Sequence, residues 1–169
     1  MAWARTKLMI HDDLLRPVPN IVMKIEGPHP KKFYEEIYKL MLVNFRVSEH
    51  SIQEKEFTWS KGNPEKFKIK WEVDKDLDKF SYYWIEVALE GQVSGSSGKV
   101  KIEVEGALRT EYPQDTMWQK SLFYEFLRMI WHSTFYSSKR DEFLREGRLL
   151  LSSFINEIRV LASVQDGQA

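Results

Sequence analysis

Three polar side chains, Tyr124, Arg128 and His132, recur every four residues in the second half of this 169-residue chain. That spacing predicts that they share one face of an α-helix, where a phenol, a guanidinium and an imidazole could bind the polar end of a ligand or move a proton. His132 has the strongest case for chemistry, because an imidazole titrates near neutral pH. A histidine that is simply hydrogen-bonded at a helix surface is the commoner situation, and both interpretations stay open.

No catalytic or metal-binding motif surrounds this group. The four histidines are scattered, and none has a histidine or carboxylate at a recognisable ligand spacing. Cysteine is absent, which excludes a disulfide framework, a thiolate metal site and a cysteine nucleophile. We therefore predict no catalytic residue, no metal and no cofactor. The histidines are His11, His29, His50 and His132, and His29, between two prolines, is expected in an exposed loop.

Two short patterns resemble ligand loops without completing them. Residues 91–98 are rich in glycine and serine but lack the Lys-Ser/Thr ending of a phosphate loop, so they predict a hairpin loop. Asp74, Asp76 and Asp78 alternate as in a calcium loop, but the glycine and the closing glutamate of such a loop are missing. We interpret this second pattern as a charged turn.

Large aromatic rings, at 14% of residues, are the most distinctive feature of the composition. Trp71 and Tyr83 fall on predicted strands, and Trp131 falls on the predicted helix that carries the three polar residues. Together with Tyr124, Arg128 and His132, these rings could line a cavity for an apolar small molecule. The alternative is that the rings simply fill the core, for which aromatic residues on alternating strands are good material.

The charge balance and the chain start narrow the partners and the compartment. Basic and acidic residues number 25 each, for a formal net charge of zero, so we do not expect nucleic acid to bind. No segment reaches the roughly 20 apolar residues of a membrane span, and the first residues lack the apolar core of a signal peptide. Together with the absence of cysteine, these features favour a cytoplasmic protein.

Alternation of apolar and polar residues predicts about five strands, all within a single domain that spans residues 1–169. One face of the resulting sheet is apolar, and the other is a lattice of lysine and glutamate that we interpret as solvated rather than as a binding site. Gly106 in the last strand suggests a bend or bulge. Residues 1–19 are expected to form an arm or an edge strand. The predicted strands are Asn20–Glu26, Ser51–Trp59, Phe67–Val73, Tyr82–Glu90 and Val100–Tyr112.

Helical spacing predicts a first helix from about Pro30 to about Phe45 and a long helical region from Asp115 to Leu161. Thr116 and Gln119 resemble a capping box at the start of the long region. Its first part is so apolar that it must lie on something, and we predict that it covers the sheet. We expect a break near Ser137-Ser138.

A second apolar stripe follows this break, in an extra helix over Lys139–Leu161, and residues 163–169 are expected to be a frayed tail. Gly147 lies on the stripe, where close approach by another element is a reason to keep a glycine. Two successive apolar helices exceed what one modest sheet needs for cover. The surplus stripe on Lys139–Leu161 could therefore be an interface.

The element order resembles that of the helix-grip proteins, the START and Bet v1-like superfamily. The segments that carry the resemblance are Ile21–Glu26, Phe33–Phe45, the strands from Phe57 to Tyr112, and Met117–Phe135. The resemblance implies a curved antiparallel sheet that grips a long C-terminal helix, in an α+β fold, with a cavity for an apolar ligand between them. It carries over no catalytic residue, because the superfamily shares no catalytic signature.

Three functions follow as hypotheses. The first is a non-enzymatic module that binds an apolar small molecule between sheet and helix, with a cavity near Trp131. The second is a protein-interaction or homodimerisation domain that uses the Lys139–Leu161 helix. The third is a cyclase-like or hydrolase-like enzyme with Tyr124, Arg128 and His132 as its polar group.

Overall fold

The fold is α+β, as predicted, with a six-stranded antiparallel sheet, one short N-terminal helix and a long C-terminal helical run. A computed structural model describes residues 7–28, 32–95, 97–113, 116 and 118–166, so the prediction for His29 lies outside the described residues. The elements are β1 (Lys7–Asp13), β2 (Asn20–Pro28), α1 (Lys32–Phe45), β3 (Ile52–Ser60), β4 (Glu65–Asp76), β5 (Ser81–Ser94), β6 (Ser97–Pro113), α2 (Leu122–Trp131), a π-helical segment (His132–Tyr136) and α3 (Ser137–Asp166).

The sheet has the order β1-β6-β5-β4-β3, and β2 also pairs with β6. Strand β6 has 17 residues, which is long enough for two partners. In β2, Asn20 lies opposite Glu105, and in β1, Asp13 lies opposite Ala107. The first two strands therefore lie end to end along one edge, and β3 forms the other edge. Of residues 1–19, predicted as an arm or an edge strand, Lys7–Asp13 forms a strand at this edge, which brings the total to six.

The hairpin between β5 and β6 is tighter than the sequence predicts. Ser94 still pairs with Ser97, so most of the predicted loop over residues 91–98 is strand. Gly95 in the turn has a φ of 65°, a conformation that glycine adopts without steric cost. The backbone ladder continues through the glycines and serines because pairing depends on main-chain groups.

The core lies between the inner face of the sheet and two helices, α1 and α3. Helix α1 buries residues at a spacing of four, and α3 buries a stripe near its middle. The rings of Phe45 and Phe154 meet across the two helices with centroids 4.6 Å apart. The buried helix residues are Phe33, Ile37, Met41 and Phe45 on α1 and Leu151, Phe154, Ile155 and Ile158 on α3.

The prediction that the first part of the long helical region covers the sheet is wrong. Helix α2 has no buried residue, whereas the stripe of α3 that was predicted to be surplus lies on the sheet. The cause is competition for one surface, because α1 and α3 together already fill the inner face. The surplus apolar surface therefore falls on α2 instead of on Lys139–Leu161.

The predicted break near Ser137-Ser138 is also wrong. The chain is helical from Leu122 to Asp166, and the π-helical segment His132–Tyr136 lies just before the predicted position. Helix continues through residues 163–166, which corrects part of the predicted tail, while residues 167–169 lie outside the described chain. No helix within the described residues is long and apolar enough to cross a membrane.

Two glycines mark close approaches of α3. A Cβ at Gly147 would lie 2.7 Å from Tyr83 and 2.8 Å from Leu14, which confirms the predicted reason for this glycine. A Cβ at Gly106 would lie 2.8 Å from Leu151. The predicted bulge at Gly106 is wrong, because the β5–β6 register continues through it without a shift.

Candidate interaction surface on the second helix

Helix α2, the residues just before it and the π-helical segment after it expose a set of large apolar side chains. We call this set the outer apolar face. Leu122 is 90% exposed, although the side chain of Arg128 on the same helix is only 14% exposed. Helices of globular proteins normally show the reverse arrangement. The face comprises Trp118, Leu122, Phe123, Phe126, Leu127, Met129, Ile130, Trp131 and Phe135.

The sequence of α2 explains this arrangement geometrically. Successive helical residues are about 100° apart, so the apolar residues from Leu122 to Trp131 occupy an arc of roughly 200°. Tyr124, Glu125, Arg128 and His132 fill the remaining sector. This polar sector points toward the end of β6, and the apolar arc therefore points away from the protein.

The helix begins at two successive caps. The predicted capping box forms, because Thr116 N–H donates to Gln119 Oε1 at 3.0 Å and Gln119 N–H donates to Thr116 Oγ1 at 3.2 Å. That box precedes a short 3-10 turn over Trp118–Lys120. Ser121 then caps α2 by accepting from the N–H of Tyr124 at 3.2 Å. These caps fix the residue at which α2 begins, and none of their hydrogen bonds involves an apolar side chain of the helix.

The polar sector holds α2 against Tyr112 of β6. The guanidinium of Arg128 lies 5.3 Å from the centroid of the Tyr112 ring and forms an ion pair with Glu125 at 2.5 Å. His132 Nδ1 lies 2.9 Å from the Tyr112 hydroxyl. Burial, followed by the charges of Arg140 and Arg128, lowers the pKa of His132. The imidazole is therefore held in its neutral form at this contact.

A buried polar network fixes the π-helical segment beneath α2. Tyr136 donates to Asp78 at 3.1 Å, and its hydroxyl lies 2.7 Å from Ser81 Oγ, which in turn lies 2.7 Å from Thr110 Oγ1. Burial raises the pKa of Tyr136 to about 12, so the phenol stays protonated. Lys139 Nζ donates to Asp78 at 2.9 Å.

Asp78 is the acceptor at the centre of this network. Burial by itself would raise the pKa of its carboxyl, but donors from Phe80, Lys139, Ser81 and Tyr136 outweigh burial and lower that pKa. The carboxylate thus ties the β4–β5 turn to the long helix. The network holds the π-helical segment in place, and this segment follows α2 directly in the chain.

The six predicted ligand-binding residues fall into two groups that the structure does not bring together. Tyr124, Arg128, Trp131 and His132 lie on or beside α2, and Trp131 is half-exposed. Trp71 and Tyr83 are only 1% and 2% exposed and lie in the core. Trp71 packs against Tyr34, with ring centroids 5.5 Å apart, and the Tyr83 hydroxyl donates to the carbonyl of Phe143 at 2.6 Å.

The cavity on the outer face of the sheet, the one on α1 and the one between β2 and α3 are lined by other residues than these six. Within the described residues, no group of three histidine or carboxylate side chains could hold a metal ion. The sequence signal for the outer apolar face was the excess of apolar helix over sheet. That signal was present, but it did not indicate which helix would be left uncovered.

No protein-family model and no curated protein sequence matches this chain.

Proposed function

We propose that this protein is a self-associating interaction module and that two copies bind through the outer apolar face of α2. The observation that carries the proposal is the inverted orientation of α2, which turns Arg128 toward the protein and exposes Leu122. Large apolar side chains in water carry a free-energy cost of about 1.5–3 kcal/mol each that burial removes. A helix held rigidly in this orientation is therefore suited to a partner.

The exposed area matches what a specific dimer needs. Nine side chains that are 43–90% exposed, at about 150–250 Å² for a large ring, present on the order of 1,000 Å². The largest apolar patch on a typical monomer is about 300–600 Å², and a standard interface buries about 800 Å² on each partner. The exposed area of the outer apolar face is thus larger than the patch on a typical monomer and large enough for a standard interface.

The charges of α2 favour a second copy of the chain. Glu125 and Arg128 neutralise each other within one helix, and the lowered pKa of His132 keeps it uncharged at neutral pH. When two copies pair about a two-fold axis, these faces bring no unpaired charges of the same sign together. A lipid surface fits less well, because interfacial helices turn basic side chains toward head groups, whereas Arg128 is turned toward Tyr112.

Sedimentation velocity over a range of protein concentrations tests the proposal. We expect the unchanged protein to sediment as a dimer and the double variant Leu122→Glu with Phe126→Glu to sediment as a folded monomer. The matched control is Val43→Glu with Leu149→Glu, since those residues are 75% and 72% exposed on α1 and α3. The control should remain dimeric.

Two outcomes would contradict the proposal. One is an unchanged protein that stays monomeric up to about 100 µM, well above the micromolar range of weak specific complexes. The other is a monomer that sediments with phosphatidylcholine vesicles and loses that binding in the double variant. The second result would assign the outer apolar face to a lipid surface.

The helix-grip resemblance agrees with the antiparallel sheet and the long C-terminal helix, and membership of the START and Bet v1-like superfamily stays a proposal. Binding of an apolar small molecule near Trp131 and a cytoplasmic location likewise stay predictions, and a cyclase-like or hydrolase-like enzyme stays an alternative hypothesis. Native mass spectrometry of the purified protein, with a denatured control, tests the first of these. Bound mass that disappears on denaturation would support it.

A further inference from the structure

A second candidate site lies on the outer face of the sheet, opposite the helices. It is a trough with a volume of about 570 Å³ that crosses five strands, from β3 through β4, β5 and β6 to β2. At about 4.8 Å between strands, the trough is roughly 19 Å long. The backbone around Gly91 and Val100 forms its floor.

Two rows of side chains form the walls of the trough. They stand two residues apart along each strand, which separates them by about 7 Å. The rows, from β3 to β2, are Thr58, Lys68, Glu90, Lys101 and Lys24 on one side and Ser60, Lys66, Gln92, Lys99 and Glu26 on the other.

The trough carries an excess of three positive charges, because five lysines face two glutamates. Lys68, Lys99 and Lys101 are paired with Glu56, Glu26 and Glu103, at 3.1, 2.7 and 3.0 Å. Lys24 and Lys66, one in each row, form no ion pair with any described residue. Sequence alone predicted a solvated lattice here, but an evenly paired lattice would leave neither lysine without an acidic partner.

The rest of the outer face has the opposite sign. Beyond the trough, toward the other end of β4, β5 and β6, acidic side chains outnumber basic ones, and burial together with Glu86 and Asp13 raises the pKa of Glu105. The outer face is therefore polarised, with its positive end at the trough. The side chains of that acidic region are Glu56, Glu72, Asp74, Glu86, Glu103 and Glu105, with Lys55, Lys70 and Arg109 among them.

The distribution of lysines indicates what kind of occupant would be complementary. They stand on β4, β6 and β2 and on both walls, so a ligand with one anionic head would meet only part of them. A ligand with several negative charges along an extended chain would meet them all. At about 3.3 Å per residue, the trough accommodates about six residues of extended peptide.

Peptide fits the walls better than single-stranded nucleic acid does. No aromatic side chain stands on either wall to stack a base, because the Phe67 ring lies on the opposite side of the sheet, against Gly91. Glu26, Glu90, Gln92 and Thr58 offer acceptors that peptide N–H groups can use. We infer that the trough binds an extended acidic peptide segment, with Lys24 and Lys66 as its two principal anchors.

Fluorescence anisotropy with a labelled peptide of about six residues, alternating glutamate and valine, tests this inference. We expect a Kd of about 10–100 µM at low salt for the unchanged protein. Replacing Lys24→Glu and Lys66→Glu together should weaken binding by about tenfold or more, since rim charges act directly on the acidic probe. The peptide with glutamine in place of glutamate should not bind.

The charge-matched control is Lys39→Glu with Lys79→Glu, because both lysines lie outside the trough and the net charge changes equally. It should bind the peptide as the unchanged protein does. If the first variant unfolds, Lys24→Gln with Lys66→Gln repeats the test with a smaller loss expected. Equal losses in trough and control variants, no binding of the peptide, or stronger competition by an oligothymidine would each overturn the inference.

Discussion

Helices α2 and α3 belong to one helical run, but they present their apolar residues in opposite directions. Phe154 on α3 is fully buried against Phe45, whereas Phe126 on α2 is 55% exposed. Both helices carry an apolar stripe, so the stripe alone does not decide what is buried. What differs is the surface available beneath each helix and the side chains that hold it there.

Helix α3 is held on the sheet by close fit and by ion pairs that include a partly buried one at Arg140. Gly147 lets Tyr83 and Leu14 approach its backbone, and Arg140 forms an ion pair with Asp12 of β1 at 2.6 Å. Helix α2 is held by polar contacts to Tyr112 and by its continuity with the π-helical segment. Its apolar arc is left free for another molecule. Amphipathicity therefore predicts that a helix needs a partner, but not that the partner is in the same chain.

Truncating one phenylalanine in each helix gives the largest expected contrast. Phe154→Ala should lower the free energy of unfolding by about 3–5 kcal/mol, because it leaves a cavity in the core. Phe126→Ala should leave the unfolding of the monomer nearly unchanged but weaken self-association. Chemical denaturation of dilute protein, alongside sedimentation, measures both effects. A large loss of monomer stability in Phe126→Ala would show that α2 is a core helix.

Adding a methyl group at Gly147 tests the close fit of α3. Alanine favours the helix by about 1 kcal/mol over glycine, but a Cβ here would meet Tyr83 at 2.7 Å. The ring has little room to move, since its hydroxyl donates to Phe143. Overpacking costs about 1–3 kcal/mol, so we expect a net destabilisation of up to about 2 kcal/mol in thermal or urea unfolding. An increase in stability would mean that α3 lies further from the sheet.

Acidification should weaken the contact between α2 and Tyr112. We expect its effect on stability to be smaller than those of the substitutions above. The pKa of His132 is lowered by burial and by two arginines, so the folded protein favours the neutral ring. Its stabilising contribution is complete above the unfolded pKa of about 6.5 and is lost as the pH falls through the lower folded value.

Thermal unfolding at pH 7.5 and near pH 5.5 checks this sign. The change in melting temperature between the two pH values should shrink in His132→Gln and persist in His11→Gln, whose histidine is an exposed residue of β1. If His132→Gln and the unchanged protein respond equally to pH, the Tyr112 contact does not depend on a neutral imidazole.

Local patterns in the sequence were enough to predict the elements and their class. Alternation at Phe67–Val73 and the capping pair Thr116 and Gln119 each depend on neighbouring residues, and both appear as predicted. The choice between α2 and α3 as the cover of the sheet depends on shape complementarity at Gly147 and Gly106. The spacing of apolar residues along either helix does not predict this fit between residues far apart in the sequence.

The predicted site residues show the same limit. The spacing of Tyr124, Arg128 and His132 correctly placed them on one side of a helical run, where Arg128 and His132 both reach Tyr112. It did not show that this side would turn toward the protein. The trough on the outer face depends on which lysines from three strands, β2, β4 and β6, become neighbours, and that requires the register of the whole sheet.

The most direct test of the outer apolar face uses the absence of cysteine from the chain. Single cysteines in place of Leu122, Phe126 or Ile130 can be joined only to a second copy, and a short bismaleimide reports their proximity. We expect covalent dimers from at least one of these positions, at dilute protein concentration, and none from a cysteine in place of Leu149 on α3. No cross-link at any α2 position, or equal cross-linking through Leu149, would contradict self-association through α2.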